Sequence, residues 1–467
     1  MGVGYALLAA ALLASALPAA TFCPDSFEMR VVARLPAHAE YSTCAGDADH
    51  DGMHELYVIG DDTLDRWVVV CAEHIGANQF EYEVPGISRQ LPWYVSDMDR
   101  DGKSELVTRD YSYLRVYESA NEFSLPSDLV WEDTLDNAYA VPCRMTDLDG
   151  DSAPEICCGR VDCGPPYVVG VYENTGDNEY SLVAELGDSL IGIGSVVQTC
   201  DLDRDGRPEL AVSTEAGQVG FFEAVGDDTF ELKAAVLVAW ANGTRVTATP
   251  DMDSDGRPEA VVLGVYRTSE AWVGVLESPC DDSFAVVWMS QFQGAYNARW
   301  CAVSGDVDGD SVSEFAVADG QNLRLFRCTG PDFYEQFWSI EYPMEEVLLY
   351  DINSDGRDEL IHREGQLEMV VREYTEVGVA ELELRRLEGV RVVPSVVRRG
   401  VAVRLEGLES GFSVQVLDAA GRVVAEPEDG VWRTDGVSPG VYFFRFGLSA
   451  ASCRPSAVPA RKVLVVE

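Results

Sequence analysis

Asp47-Ala48-Asp49-His50-Asp51-Gly52-Met53-His54-Glu55 is the first of seven copies of one acidic loop, and this repeat decides the architecture. The others open at Asp97, Asp147, Asp201, Asp251, Asp306 and Asp351, so position 1 is always Asp. Position 3 is Asp49, Asp99, Asp149, Asp203, Asp253 and Asp308, with Asn353 in the seventh copy. Position 5 is Asp51, Asp101, Asp151, Asp205, Asp255, Asp310 and Asp355, and position 9 is Glu55, Glu105, Glu155, Glu209, Glu259, Glu314 and Glu359. Hard oxygen donors at odd spacing suit Ca2+, which takes about six to eight oxygens in a flexible shell. These residues are the expected metal ligands, with up to seven ions as cofactor.

A helix-loop-helix calcium site needs a bidentate Glu at position 12. That position holds Val58, Thr108, Cys158, Val212, Val262, Val317 and His362, so this reading fails. The segment after each loop is short, apolar and rich in β-branched residues, as in Glu105-Leu106-Val107-Thr108 and Glu259-Ala260-Val261-Val262-Leu263, and reads as a strand. A plain polar turn between strands asks for Asp and Gly but not for an unvarying Glu at position 9.

The loops begin 45 to 55 residues apart, a period that marks one supersecondary unit per repeat. Each unit reads as four strands: one before the loop, one after it, a third such as Leu114-Arg115-Val116-Tyr117-Glu118, and a fourth opening near Phe80, Tyr180, Phe230, Phe284 or Phe333. Four-stranded units in a ring are the blades of a β-propeller. The chain from Ser26 has the fourth-strand pattern with no earlier unit to belong to, while the seventh unit is one strand short after Tyr374. The N-terminal strand or residues 379–387 are the candidates to close the ring.

The repeat Asp-x-Asp-x-Asp-Gly-x-x-Glu-Leu resembles the FG-GAP or VCBS repeats, similar to the propeller of integrin α subunits, over residues 26–377. The resemblance implies an all-β, seven-bladed β-propeller with calcium loops. It also implies a ligand face built by the connections from strand 4 to strand 1 and from strand 2 to strand 3. There the sequence displays Tyr41, Trp93, Tyr139, Tyr296 and Trp300, with Tyr111, Tyr113, Tyr266 and Trp272. Loops three and six depart from the pattern, with Gly150 and Gly309 at position 4 and Ser152 and Ser311 at position 6, which predicts weaker binding or a different turn.

The formal net charge is −46, and the first 377 residues account for it with 69 acidic against 22 basic side chains. Such a field disfavours nucleic acid and anionic membranes. Residues 1–20 read as a signal peptide, with an apolar run from Ala6 to Leu17 too short for a membrane span. Twelve cysteines in an exported chain permit disulfides, and none of their spacings indicates zinc.

Residues 392–467 change style to alternating strands joined by Gly turns, the pattern of a small immunoglobulin-like β-sandwich. The stretches Leu417-Asp418-Ala419-Ala420-Gly421-Arg422 and Gly440-Val441-Tyr442-Phe443, with the closing Lys462-Val463 strand, resemble the C-terminal sorting domain of type IX secretion cargo. That resemblance implies recognition by export machinery; an ordinary adhesive sandwich is the alternative.

Five histidines (His38, His50, His54, His74, His362) form no catalytic motif, and no nucleophile elbow, phosphate loop or dinucleotide fingerprint occurs. The expectation is therefore a monomeric, secreted or cell-surface module for calcium-dependent adhesion to, or binding of, an extracellular glycan or protein ligand. The alternative is a calcium-dependent polysaccharide-degrading, lyase-like propeller.

Overall fold

The computed structural model describes residues 27–36, 43–376 and 391–466, apart from 62–66, 77, 111, 136–143, 162–167, 188–192, 215–216, 239–243, 267–269, 294–300, 320, 342–346, 365–367, 407–411, 420–421, 428–430 and 449–460. No helix occurs among the described residues. One compact unit is Met29–Tyr374 and the other contains Thr375–Glu467. The expected signal peptide at 1–20 and the alternative closing segment at 379–387 lie outside the described residues.

The first unit is built from four-stranded sheets, seven of them among the described residues. The first consists of Cys44–Gly46, Glu55–Asp61, Trp67–His74 and Phe80–Glu83, and the fourth of Ile193–Cys200, Glu209–Thr214, Gln218–Gly226 and Thr229–Leu237. An acidic loop joins the first two strands of every sheet. The second strands are buried along nearly their whole length, as in Glu105–Arg109 and Glu209–Thr214, because both faces of each sheet are covered by neighbours. Fourth strands such as Thr229–Leu237 are partly exposed and carry the alternating polar residues of an outer edge.

Cores lie between successive sheets. Tyr57, Val69 and Cys71 of the first pack on Val95 and Leu106 of the second. Ala211 and Phe221 of the fourth pack on Val246 and Val262 of the fifth. The series closes on itself, since Leu56, Val58 and Val70 of the first sheet share a core with Ile352, Ile361 and Met369 of the seventh. Fully burying one such aliphatic side chain stabilises by about 1.5 to 3 kcal/mol, so the sheets hold one another and not themselves. The unit is a β-propeller.

The last sheet has the order Phe27–Pro36, Glu368–Glu376, Glu359–Arg363, Val347–Tyr350, so its outer strand comes from the other end of the chain. Leu35 of that strand is buried in the shared core. Arg372 lies buried beside it, donating one N–H to Met29 O at 3.1 Å and Nε–H to His362 Nε2 at 2.8 Å. Closure in this manner covers the edge of Glu368–Glu376 that would otherwise stand open at the seam.

The second unit has a three-stranded sheet (Arg391–Val393, Ala402–Glu406, Val431–Arg433) and a five-stranded one (Val396–Arg398, Arg461–Val466, Gly440–Leu448, Phe412–Leu417, Val423–Ala425). Val403, Leu405 and Trp432 of the first share a core with Val416, Phe444 and Val463 of the second, which makes a small sandwich.

Candidate metal centre

Each acidic loop folds by spending its own carboxylates on its own backbone. In loop four, Asp201 accepts the N–H of Gly206 at 3.1 Å, Asp203 that of Asp205 at 3.2 Å, and Asp205 that of Arg207 at 2.8 Å. The same three bonds recur in loops one, two and five. The chain turns left-handed at position 4 (Arg204, φ 65°) and again at the glycine of position 6 (Gly206, φ 95°). Loops three and six keep this hand with the residue types exchanged: Gly150 and Ser152 both have φ 81°, and Gly309 and Ser311 have φ 80° and 70°. The swap places an L residue with a Cβ at the second left-handed position, where it is strained. It also lets Gly150 N–H and Gly309 N–H bond the second oxygen of Asp147 and Asp306, at 2.8 and 2.7 Å.

The Glu of position 9 has a second task beyond any ligand role. In all seven loops its Oε2 accepts the backbone N–H of position 2, at 2.5 to 3.0 Å. Position 2 is always apolar and buried: Ala48, Met98, Leu148, Leu202, Met252, Val307 and Ile352. The loop is thereby stapled to the start of the following strand. The sequence carried a signal for this in the unbroken run of apolar residues between the first two acids.

In the first five loops the other oxygen has nothing to bond. Oε1 of Glu55, Glu105, Glu155, Glu209 and Glu259 is buried without a hydrogen-bond partner, as is Oδ1 of Asp47, Asp97, Asp201 and Asp251. Burial pushes each of the seven Glu carboxyls up to about 8, with the neighbouring Asp charges adding to the rise and the backbone N–H opposing it. Buried oxygens left unpaired cost of the order of 1 to 3 kcal/mol each, more when charged. Ligand atoms of Asp201, Asp203, Asp205 and Glu209, and of Asp47, Asp49, Asp51 and Glu55, lie within 4.8 Å of one another. Oxygens on opposite sides of a calcium ion are separated by about twice its 2.3 to 2.6 Å bond length, so that spread fits one ion. The donor set is all oxygen, the choice of a hard cation.

Two further sets of contacts surround the loops. The remaining oxygen of position 3 reaches the next sheet: Asp99, Asp149, Asp203 and Asp253 accept the N–H of Asn178, Asp228, Asp282 and Asp332 at 2.8 to 2.9 Å. Each donor is the left-handed residue of the turn joining the third and fourth strands, and stands 79 positions after its acceptor. Buried acids on three third strands also face a cation at loop position 7. Lys103 meets Glu118 at 3.0 Å, Arg207 meets Glu223 at 2.8 Å, and Arg257 meets Glu277.

In a four-stranded antiparallel sheet the 1–2 and 3–4 connections share one edge, and the 2–3 and 4–1 connections the other. The acidic loops and the turns that bond them therefore occupy one end of the sheets. By sequence the expected ligand aromatics fall in or beside the 4–1 and 2–3 connections. Tyr41, Tyr139, Tyr296, Trp300 and Tyr111 lie outside the described residues. Trp93 is half-buried on Leu91–Ser96 and packs against the core of the second and third sheets, and Tyr113 carries the Arg115 guanidinium 4.4 Å above its ring. Among the described residues Cys71, Cys157, Cys200, Cys280 and Cys328 are free thiols.

Residues 147–212 and 201–262 match the FG-GAP-like repeat family, two overlapping units that each run from one acidic loop through the next. No curated protein matches the chain in sequence. Among solved structures it is similar to the WD40 domain of coronin from Toxoplasma gondii, at 11% identity and a TM-score of 0.46 over 77% of this chain and 92% of that one. It is also similar to BBS1N in its complex with ARL6DN, at 10% identity and a TM-score of 0.46 over 75% and 97% of the two chains.

Proposed function

We propose that the chain is an exported, calcium-binding propeller of seven blades that acts as an extracellular binding or adhesion module for a glycan or a protein. The observation that carries the calcium reading is the set of buried, unpartnered Glu Oε1 atoms in the first five loops, with the acids of loops one and four gathered within 4.8 Å of one another. An ion would satisfy these atoms and cancel the repulsion within each cluster. Asp at positions 1, 3 and 5 and Glu at position 9 would hold it, with Lys103, Arg207 and Arg257 balancing the acids beside it.

Calcium in this account is structural. The acidic loops are 1–2 connections, whereas Tyr41, Tyr139, Tyr296 and Trp300 fall in the 4–1 stretches of the sequence, so a ligand bound through them would not touch an ion. Aromatic side chains at such a site supply stacking area for sugars or anchors for a protein partner. The C-terminal sandwich is the address read by export machinery, and residues 1–20 are the signal peptide. The acidic surface excludes nucleic acid as the partner.

The test is a glycan array and a panel of extracellular proteins probed with the calcium-loaded full chain. Retention on one ligand class is expected, reduced at least about tenfold by Trp300→Ala or Tyr296→Ala. Retention on neither class, or retention indifferent to both substitutions, would overturn the binding reading.

A further inference from the structure

The seventh loop differs from the others in what its buried oxygens touch. Asn353 stands where six loops have Asp, and its side-chain N–H donates to Glu359 Oε1 at 2.5 Å. That is the oxygen left without a partner in loops one to five. Asp351 Oδ1, whose equivalents in loops one, two, four and five are also unpartnered, accepts Asp355 N–H at 3.0 Å. The amide orientation is fixed from its other side, because Asn353 Oδ1 accepts Asp355 N–H at 2.9 Å. Flipping the amide would set an NH2 against that N–H and an oxygen against a carboxylate, so two bonds would become two repulsions.

We propose that loop seven is closed by its own amide and holds no calcium, so that the sheet joining the two ends of the propeller folds independently of the ion. The inference rests on the calcium reading of the other loops. Asn at position 3 serves as a calcium ligand where its oxygen is free to face the ion. The bond that Asp355 N–H makes to position 3 is made in the other six loops as well, so what sets loop seven apart is the donor end of the amide, which occupies the place where positive charge is needed. An entering ion would have to break the amide contact to Glu359 and would meet three carboxylates instead of four, a loss of at least about tenfold in affinity. The location has a physical logic. This is the sheet completed by Phe27–Pro36, and its other buried polar contacts, Arg372 to Met29 O and to His362, need no cation either. The seam stays shut when the remaining loops lose their ions.

Native mass spectrometry of the full chain, stripped with EDTA and returned to calcium, counts bound ions directly. Asn353→Asp is expected to bind one ion more than the wild type, Glu359→Gln the same number, and Glu209→Gln one fewer. The Gln variants preserve side-chain shape, and a thermal melt of each reports folding apart from binding. If Glu359→Gln loses an ion as Glu209→Gln does, or Asn353→Asp gains none while folded, the inference is wrong. A wild type that binds no calcium while folded would instead overturn the calcium reading itself, and this inference with it.

Discussion

Acid should loosen the propeller at its seam, through His362. The imidazole is fully buried, accepts the Nε–H of Arg372 at Nε2 and meets the Arg363 carbonyl through Nδ1 at 3.1 Å. Burial is the main cause that lowers it from 6.5 to about 4, with the charges of Arg372 and Arg34 acting in the same direction and Glu364 and the Arg363 carbonyl against it. A protonated ring would confront the guanidinium it now accepts from. Because the folded value lies below the unfolded one, the unfolded chain takes up the proton first as pH falls. The stability is complete above about 7.5 and is lost between about 6.5 and 4. From pH 7.5 to pH 5 the loss is about 2 kcal/mol. For a unit of about 350 residues, with an unfolding entropy of about 2.1 cal/mol/K per residue, this is roughly 3 °C in Tm. Melts of wild type and His362→Gln in saturating calcium isolate the effect, since Gln can still accept from Arg372 and does not titrate. The wild type should lose about 3 °C more than the variant over this range. Parallel lines for the two proteins would refute the reasoning.

Three further outcomes are expected. Deleting Phe27–Pro36 should destabilise the whole propeller and promote aggregation by exposing the Glu368–Glu376 edge, whereas deleting 379–387 should be mild; thermal melts with light scattering rank the two, and the reverse ranking would place the closing strand on the C-terminal side. Gly305→Ala should cost about 1 to 3 kcal/mol by chemical denaturation, because a Cβ there meets Leu349 Cβ at 2.9 Å and the Asp358 carboxylate that accepts Asp306 N–H; a neutral result would show that the sixth and seventh sheets yield at this contact. Truncation after Tyr374 should leave a propeller that melts as one unit and fails to reach the surface of its native host, and normal surface display would remove the sorting role from the C-terminal sandwich.

Much of the fold was legible because each repeat states its own punctuation. The acidic loops mark the turn between the first two strands. The aromatics at Phe80, Tyr180, Phe230, Phe284 and Phe333 fall at the starts of observed fourth strands. The unpaired strand pattern from Phe27 onward was readable as the missing piece of the last sheet, and the structure seats it there. The candidate site was less legible. Its acidic side chains were readable, but the task of Glu Oε2 depends on a backbone N–H seven residues earlier that only the folded loop brings within reach. The bonds from position 3 to the next sheet span 79 residues and arise from ring geometry, to which no local pattern refers. Asn353 stands in the sequence as one of the expected ligands, and only the folded loop shows its amide donating to Glu359 Oε1. Trp93 reads as a ligand-face aromatic because it stands where the 4–1 connection enters a first strand, while its ring packs against the core of the second and third sheets.

If the acidic loops hold calcium as part of the fold, differential scanning calorimetry in EDTA, 10 mM magnesium and 10 mM calcium will register it. Extracellular calcium modules have affinities of roughly 0.1 to 1 mM, so each occupied loop adds about 1.4 to 2.7 kcal/mol at 10 mM. Loops one, two, four and five, each with two unpartnered buried oxygens, together give about 6 to 11 kcal/mol, or roughly 8 to 15 °C in Tm. A rise of that size in calcium and a much smaller one in magnesium is the predicted result. A melting temperature that stays within about 1 °C across all three conditions would contradict the account.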